Sequence, residues 1–381
     1  MARILIISLS NVGRDPRVAR QVDALRDEHE VVVAAYGPHE RNDIEFTRLP
    51  EAEPEHLLRT TLRMGTNAAL RQLGRFDRAY WLDRRFPLWR RHLGQLRVDL
   101  VLVNDAIVLP VAFEAANGAP VVFDAHEYAP TEHEELLRWR VLIGPLTRYI
   151  CRVYLPKVRA MMVVSPGIAR LYVAYTDAPS AVVTNAPAFS PLSPRPVDGR
   201  VRLIHFGGAD RLRRLEDMIE LMKHLDGRFS LDLLLVGDAR YIQKLKGLAR
   251  SDSRISFRDP VPMQKLVEVA NDADIGVFLH RGDNPQRRYT LPNKFFEFIQ
   301  ARLAVAIGPS PEMAKIVERY DCGIVAPTFA PRDLAALIAA TDAQQLSRYK
   351  QNADVAAHEI NAERNAPIIR EVIARALDRG A

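Results

Sequence analysis

Tyr289-Thr290-Leu291-Pro292-Asn293-Lys294-Phe295-Phe296-Glu297-Phe298-Ile299 decides the reading of this chain. It follows an apolar run of strand length, Asp274-Ile275-Gly276-Val277-Phe278-Leu279, and a basic loop with His280, Arg281, Arg287 and Arg288. Pro292 suits the first position of a helix, where its missing N–H is no loss. Asn293 and Glu297 then fall four residues apart on one face, with Lys294 beside them in the first turn. Free N–H groups and the positive dipole end of a helix favour an anion, and Lys294 adds a full charge. A phosphate at one end and vicinal hydroxyls on the Glu297 carboxylate at the other is the layout of a nucleotide sugar. The competing reading is a core helix, with Phe295, Phe296, Phe298 and Ile299 buried and the polar residues solvated.

Strand and helix patterns alternate on both sides of this stretch. Arg202–Phe206 reads as a strand, Gly207-Gly208-Ala209-Asp210 as a loop, and Arg213-Arg214-Leu215-Glu216 as the opening of a helix. Glycines after a strand and arginines at the next helix start can meet phosphate at short range, although any tight turn uses glycine. Strands at Leu231–Val236 (ending at Gly237-Asp238), Arg254–Phe257, Ala304–Ile307 and Gly323–Val325 continue the series. The N-terminal half repeats the alternation: strand Arg3–Ser8, a helix opened by Asp15-Pro16, strand Glu30–Ala34, then Asp99–Val103, Pro120–Phe123, Ala160–Val164 and Ala181–Thr184. These are doubly wound parallel units without a dinucleotide glycine fingerprint. Gly13 reads either as a plain strand-to-helix turn or as a point of close backbone approach to a ligand. His126 and Glu127 follow a strand end, where ligands of open parallel sheets bind, although such a histidine is commonly a structural hydrogen-bonder.

Four prolines between Pro187 and Pro196 forbid a regular helix or central strand and mark a boundary. The expected domains are 1–186, a linker at 187–199 and a second domain at 200–360, followed by a C-terminal helix at 361–381. At 381 residues two cores are the natural division. Cys151 and Cys322 give neither a disulfide framework nor metal-ligand spacing and read as buried thiols of a reducing cytoplasm. Arg3–Ser8 is too short for the apolar core of a secretory leader, and no run approaches the ~20 apolar residues of a membrane span. Asp272-Ala273-Asp274 has the spacing of metal-binding carboxylates, but its place between a helix end and a strand makes it structural; no metal is expected.

The net charge of +6 is unevenly spread. Between Arg59 and Arg97 arginine is frequent, the only acidic residues are Asp77 and Asp83, and Phe76, Tyr80, Trp81, Phe86 and Trp89 are interleaved. The stretch reads either as ordinary helices with arginine-rich outer faces or as peripheral contact with an anionic membrane at its inner face. No signature supports nucleic acid as a partner.

Leu291-Pro292-Asn293-Lys294-Phe295-Phe296-Glu297 resembles the donor-binding motif of family-four glycosyltransferases of the GT-B fold, of the capsular and exopolysaccharide type. Arg14-Asp15-Pro16-Arg17-Val18 and Asp124-Ala125-His126-Glu127 resemble segments of the same group. The resemblance implies two Rossmann-like domains facing an interdomain cleft, the first on the acceptor side and the second binding the nucleotide sugar. It also implies that the C-terminal helix crosses back to the first domain, and a retaining, metal-independent transfer. The donor would be a UDP-, GDP- or dTDP-sugar and the acceptor a saccharide, lipid-linked or small molecule; no cofactor is implied. It implies that Glu297 binds the ribose and that Lys294 and Arg213, with Arg214 the near alternative, stabilise the departing phosphate. His126 would contact donor sugar or acceptor; Asn293, Gly13 and Gly208 would line the donor; Gly237, Arg258 and Val261 would hold the base. In many relatives a second glutamate, eight residues before the ribose glutamate, contacts the sugar, and here that position is Tyr289. Two rivals follow: a sugar-nucleotide epimerase of the same architecture, and a non-catalytic nucleotide-sugar-binding subunit.

Overall fold

The computed structural model describes residues 1–37 and 41–378, the side chain of Arg14 excepted. The chain divides into two compact units, Met1–Thr184 with Asn365–Ala381, and Asn185–Arg364.

Seven parallel strands build the first unit: β1 (Arg3–Asn11), β2 (Glu30–Tyr36), β3 (Glu45–Arg48), β4 (Leu100–Val103), β5 (Val121–Ala125), β6 (Ala160–Val163) and β7 (Ser180–Val182). Their order is β3-β2-β1-β4-β5-β6-β7. β4 and β5 are buried along their whole length and β1 over its centre, which is why they read as unbroken Val/Ile/Leu runs. β3, Glu45-Phe46-Thr47-Arg48, was not expected. It is an edge strand with a charge at each end and no buried residue, so it carries no apolar signal.

β5 runs two residues further than expected and takes in Asp124, which is fully buried. Asp15 caps the helix Pro16–Leu25 by accepting from the N–H groups of Arg17 and Val18. Arg17 is thereby aimed inward and donates from Nε to Asp124 at 2.6 Å and from Nη1 to the carbonyl of Val183 at 3.2 Å. Gln21, one turn on, donates to the same carboxylate and exchanges hydrogen bonds with Asn104 at 2.7 and 3.0 Å. The two motif-like segments of this unit are thus joined by a buried, fully paired network. The C-terminal helix Ala362–Leu377 passes into this unit from Asn365 onward and contributes Ile369, Val372, Ile373 and Ala376 to the core around Ile4, Val18 and Leu100.

The second unit holds β8 (Val201–Ala209), β9 (Phe229–Gly237), β10 (Ile255–Arg258), β11 (Ile275–Phe278), β12 (Ala304–Ile307) and β13 (Gly323–Val325), all parallel in the order β10-β9-β8-β11-β12-β13. The proline-rich segment is pinned to this unit. Ser190 is held at its N–H by Gln300 Oε1 (3.0 Å) and at its carbonyl by Arg302 (2.7 Å). Arg195 meets Asp272 at 2.6 Å. Asp274 is buried, accepts the Arg202 N–H at 2.9 Å and pairs with the buried Lys350 at 2.8 Å, so both aspartates of the Asp-Ala-Asp triplet have structural partners. In each sheet the strand order reverses beside the first strand of the unit, at β1/β4 and at β8/β11, where doubly wound sheets leave a crevice for ligands.

The Arg59–Arg97 region forms three helices, Leu57–Gln72, Phe76–Trp81 and Arg85–Leu93. Tyr80, Phe86 and Trp89 are core residues, Tyr80 and Phe86 stacked at 3.8 Å between ring centroids. The second and third helices are therefore ordinary half-buried ones, whereas Leu57–Gln72 has no buried residue at all.

Candidate functional site

The helix Asn293–Gln300 starts one residue later than expected, Pro292 standing just outside it with extended backbone. Lys294 therefore lies in the first turn, and its side chain is 6% exposed. The ammonium is 3.2 Å from Nε2 of His205 in β8 and 5.1 Å from the ring centre of Phe278 at the end of β11. His205 Nδ1 lies 2.8 Å from the carbonyl of Val277 and must donate to it, which leaves Nε2 as an acceptor for Lys294. Burial, and then Lys294 itself, hold the His205 pKa well below the ordinary imidazole value, so the ring is neutral. Burial and the Arg213 guanidinium pull the Lys294 pKa down to about 7, with Glu297 acting against them.

Gly207 and Gly208, at the end of β8, lie against these cations. A Cβ on Gly207 would stand 3.1 Å from Lys294 Nζ, and one on Gly208 would stand 3.4 Å from Arg213 Nη1. The glycine pair thus lets backbone approach two cationic heads at once. Arg213 does not open a helix as expected. Asp210 accepts the Leu212 N–H and fixes a tight 3₁₀ turn, Arg211–Arg213, which ends at Arg214 in the left-handed region (φ 49°). The following helix begins only at Glu216. Arg213 remains exposed while its guanidinium reaches Gly208; Arg214 turns to Asp217 at 3.5 Å.

His280 follows β11 and completes the cluster. Its ring stacks near Phe278, 5.4 Å between centroids. Burial and the charges of Arg287, Arg213 and Lys294 pull its pKa down to about 4. Three cationic side chains thus surround one neutral imidazole at the β8/β11 switch point, with Asp210 and Glu297 the opposing charges. Such a cluster is stabilised by an anion carrying two or more charges.

Of the predicted residues, Lys294, Arg213, Gly208, Asn293 and Glu297 share this end of the second sheet. Tyr289 closes the short helix Pro285–Tyr289 just before it and is half-buried. Gly237 (φ 115°) and Arg258 end the neighbouring strands β9 and β10; Arg258 pairs with Asp232 at 3.2 Å, and Val261 packs against the core of this unit. Gly13 is exposed in the short turn Val12–Arg14 of the first unit.

His126 also lies in the first unit, just past β5. Tyr172 fixes its loop by donating to the Glu127 carbonyl at 2.8 Å and accepting from the Ala129 N–H at 3.0 Å. His126 Nδ1 is buried without a hydrogen-bond partner among the described residues, as is Thr131 Oγ1 nearby in sequence. Asp105, past β4, accepts the Leu9 N–H at 2.7 Å; burial raises its pKa, against this hydrogen bond and the nearby His126. His205, His280 and Asp105 were given no role of their own from sequence. Their one signal was a histidine or aspartate at or just beyond the end of an otherwise apolar run.

Among the described residues no group of three or more His, Cys, Asp or Glu could hold a metal ion, and no helix is long and apolar enough to cross a membrane. No family model matches the chain, and no curated protein does. Solved structures do. HepE from Anabaena, solved with UDP and glucose, aligns over 98% of this chain and 100% of its own at 13% identity and a TM-score of 0.72. Sucrose-phosphate synthase from Thermosynechococcus elongatus aligns over 98% and 99%, also at 13% identity, with a TM-score of 0.76. The α,α-trehalose 6-phosphate synthase from Burkholderia multivorans aligns over 99% and 100% at 13% identity and a TM-score of 0.67. The strand orders and these alignments give the chain the GT-B fold, with one doubly wound parallel sheet of seven strands and one of six.

Proposed function

We propose that this protein is a glycosyltransferase that moves a sugar from a nucleotide-sugar donor to a saccharide, lipid-linked or small-molecule acceptor. The convergence of Lys294, Arg213 and the Gly207-Gly208 backbone at the β8/β11 switch point carries the reading. Two cations and a glycine loop receive the diphosphate, and Glu297, one turn along the helix, accepts the ribose hydroxyls. HepE has been solved with UDP-glucose, which favours a UDP-sugar as the first donor to try.

As the glycosidic bond breaks, negative charge grows on the leaving phosphate. Lys294, Arg213 and the helix N-terminus meet it and supply what a divalent cation would otherwise supply. Attack from the face of the departing phosphate gives retention. His126, with its orphaned buried Nδ1, is assigned to the sugar or the acceptor. Tyr289 in place of a sugar-binding glutamate favours one second reading, donor binding without turnover.

A thermal-shift screen of UDP-, GDP- and dTDP-sugars tests the donor, and nucleoside diphosphate release with EDTA present tests the transfer. Stabilisation without release over a panel of acceptors favours the second reading; no stabilisation by any donor overturns both. Glu297→Ala should weaken donor binding by roughly 1.5–3 kcal/mol, the worth of a charged hydrogen-bonding partner. Unchanged affinity in the folded variant removes the ribose assignment.

A further inference from the structure

The helix Leu57–Gln72 of the first unit is amphipathic the wrong way round for a soluble protein. At about 100° per residue, Arg63, Asn67 and Arg71 share one face, and that face is turned to the protein. Arg63 pairs with Glu55 at 3.2 Å, Asn67 donates to the Ala79 carbonyl at 2.6 Å, and Arg71 donates to the carbonyl of Leu142. Leu58 and Leu62 stand on the opposite face, 74 and 73% exposed, and Leu57 and Met64, on the flank towards Arg71, are 76 and 58% exposed. Leu73, just past the helix, is 74% exposed.

The carbonyl that Arg71 holds belongs to a second apolar segment. Leu136, Leu137, Val141, Leu142 and Ile143 are all exposed, while Trp139 between them is buried and anchors the turn. Phe76 and Tyr149, 5.4 Å apart between centroids, join the helices that follow these two segments. A water-facing helix normally buries its apolar stripe and shows its polar one, and contiguous exposed apolar surface marks an interaction site.

Charge identifies the occupant. From His56 to Phe76 the chain has arginine at 59, 63, 71 and 75 and no carboxylate. From Leu136 to Lys157 it has arginine at 138, 140, 148 and 152, lysine at 157, and again no carboxylate. A second copy of this chain would bring cation against cation. An anionic bilayer offers hydrocarbon to the leucines and headgroups to the arginines.

We propose that Leu57–Leu73 and Leu136–Ile143 together form a docking surface that lies in the interface of an anionic lipid bilayer, the leucines inserted and the flanking arginines at the headgroups. The remaining helices of the basic region, which bury Tyr80, Phe86 and Trp89, are no part of that surface. This inference stands apart from the donor site, which is in the other unit, and either can fail alone.

Flotation with vesicles of phosphatidylglycerol and phosphatidylcholine, against phosphatidylcholine alone, tests it. The full chain should float with the anionic vesicles and lose about tenfold in partition at high salt, because the arginine contribution is screened. Leu58→Glu with Leu62→Glu, both solvent-facing, should lower partition at least about tenfold by placing charge where hydrocarbon is required. The variant's thermal midpoint and its shift by UDP should be unchanged. Wild-type protein that stays below the anionic vesicles at low salt overturns the proposal, as does a variant that floats equally well. A concentration-dependent dimer abolished by the same substitutions, without vesicle binding, would show that a second copy covers this face instead.

Discussion

The ammonium of Lys294 rests 3.2 Å from the Nε2 of a histidine 89 residues earlier in the chain, and the geometry lets that histidine only accept. The contact makes the charge of Lys294 conditional. The His205 acceptor and the Glu297 charge favour the ammonium, while burial and Arg213 oppose it strongly enough to bring the pKa to about 7.

Binding of UDP should therefore depend on pH. A phosphate favours the charged lysine and raises its pKa in the complex. Above about pH 7 the free protein must take up a proton to bind, and affinity should fall by up to about tenfold per pH unit. Calorimetry from neutral to alkaline pH, in two buffers of different ionisation enthalpy, reads both the affinity and the proton. His205→Phe removes the acceptor, lowers the Lys294 pKa further and should move the decline to lower pH. Flat affinity between pH 7 and 9 would contradict this account.

The same lysine should cost stability. Its pKa is about 7 in the folded chain and ~10.4 when unfolded. Between these values the unfolded chain binds more protons, so this contribution rises with pH across that window, and the penalty is complete below it. Lys294→Met keeps the volume and removes the charge, though it leaves His205 Nε2 without a donor. A net gain of roughly 1–3 kcal/mol near pH 6 is expected, shrinking towards pH 10, with loss of UDP binding. Chemical denaturation at the two pH values measures it; a Lys294→Met protein less stable than wild type at pH 6 sinks the prediction.

Arg213 and Arg214 should separate cleanly. Arg213 Nη1 lies beside Gly208, whereas Arg214 faces Asp217 from a left-handed residue. Arg213→Ala should lower kcat on the order of 100-fold, the usual effect of losing one group that stabilises developing charge. Arg214→Gly should leave kcat unchanged, and its backbone conformation suits glycine. A larger kcat loss in Arg214→Gly than in Arg213→Ala reverses the assignment.

Most strands were legible because parallel strands covered on both faces must be apolar throughout, as in Leu100–Val103 and Ala304–Ile307. β3 was not, since an edge strand need bury nothing. Lys294 was legible as a first-turn cation because a helix start announces itself locally. Its partner was not, because His205 reaches it through a crossing between strands that no local periodicity encodes. Arg213-Arg214-Leu215-Glu216 read as a helix start, but Asp210 caps a tighter turn first. Arg17 and Asp124, which stand in the two segments that resemble the family, hold the first unit together.

That last pair gives a stability prediction. Asp124→Asn leaves the buried Arg17 guanidinium without its carboxylate and should cost roughly 3–5 kcal/mol. Arg17→Met with Asp124→Leu should cost less than Asp124→Asn, because no charge is stranded. Urea denaturation of the three proteins decides the matter; an Asp124→Asn protein as stable as wild type would show that the pair is not structural.

Gly207 offers the sharpest test of the phosphate site. Its φ of 118° is one that side-chain-bearing residues rarely adopt, so alanine there should cost roughly 1–3 kcal/mol in backbone strain. The added methyl would also meet Lys294, 3.1 Å from Nζ and 3.4 Å from Cε, and the side chain must move away from the loop. Gly208→Ala is the control: its Cβ would stand 3.4 Å from Arg213 Nη1, an ordinary contact with the end of an exposed side chain. Gly207→Ala should then weaken UDP binding on the order of tenfold and shift its pH dependence, because Lys294 has left His205, while Gly208→Ala should leave that pH dependence unchanged. Strain alone would lower the melting temperature of Gly207→Ala without touching affinity in the folded protein. That outcome would make Gly207 a turn residue only and would remove the glycine loop from the phosphate site.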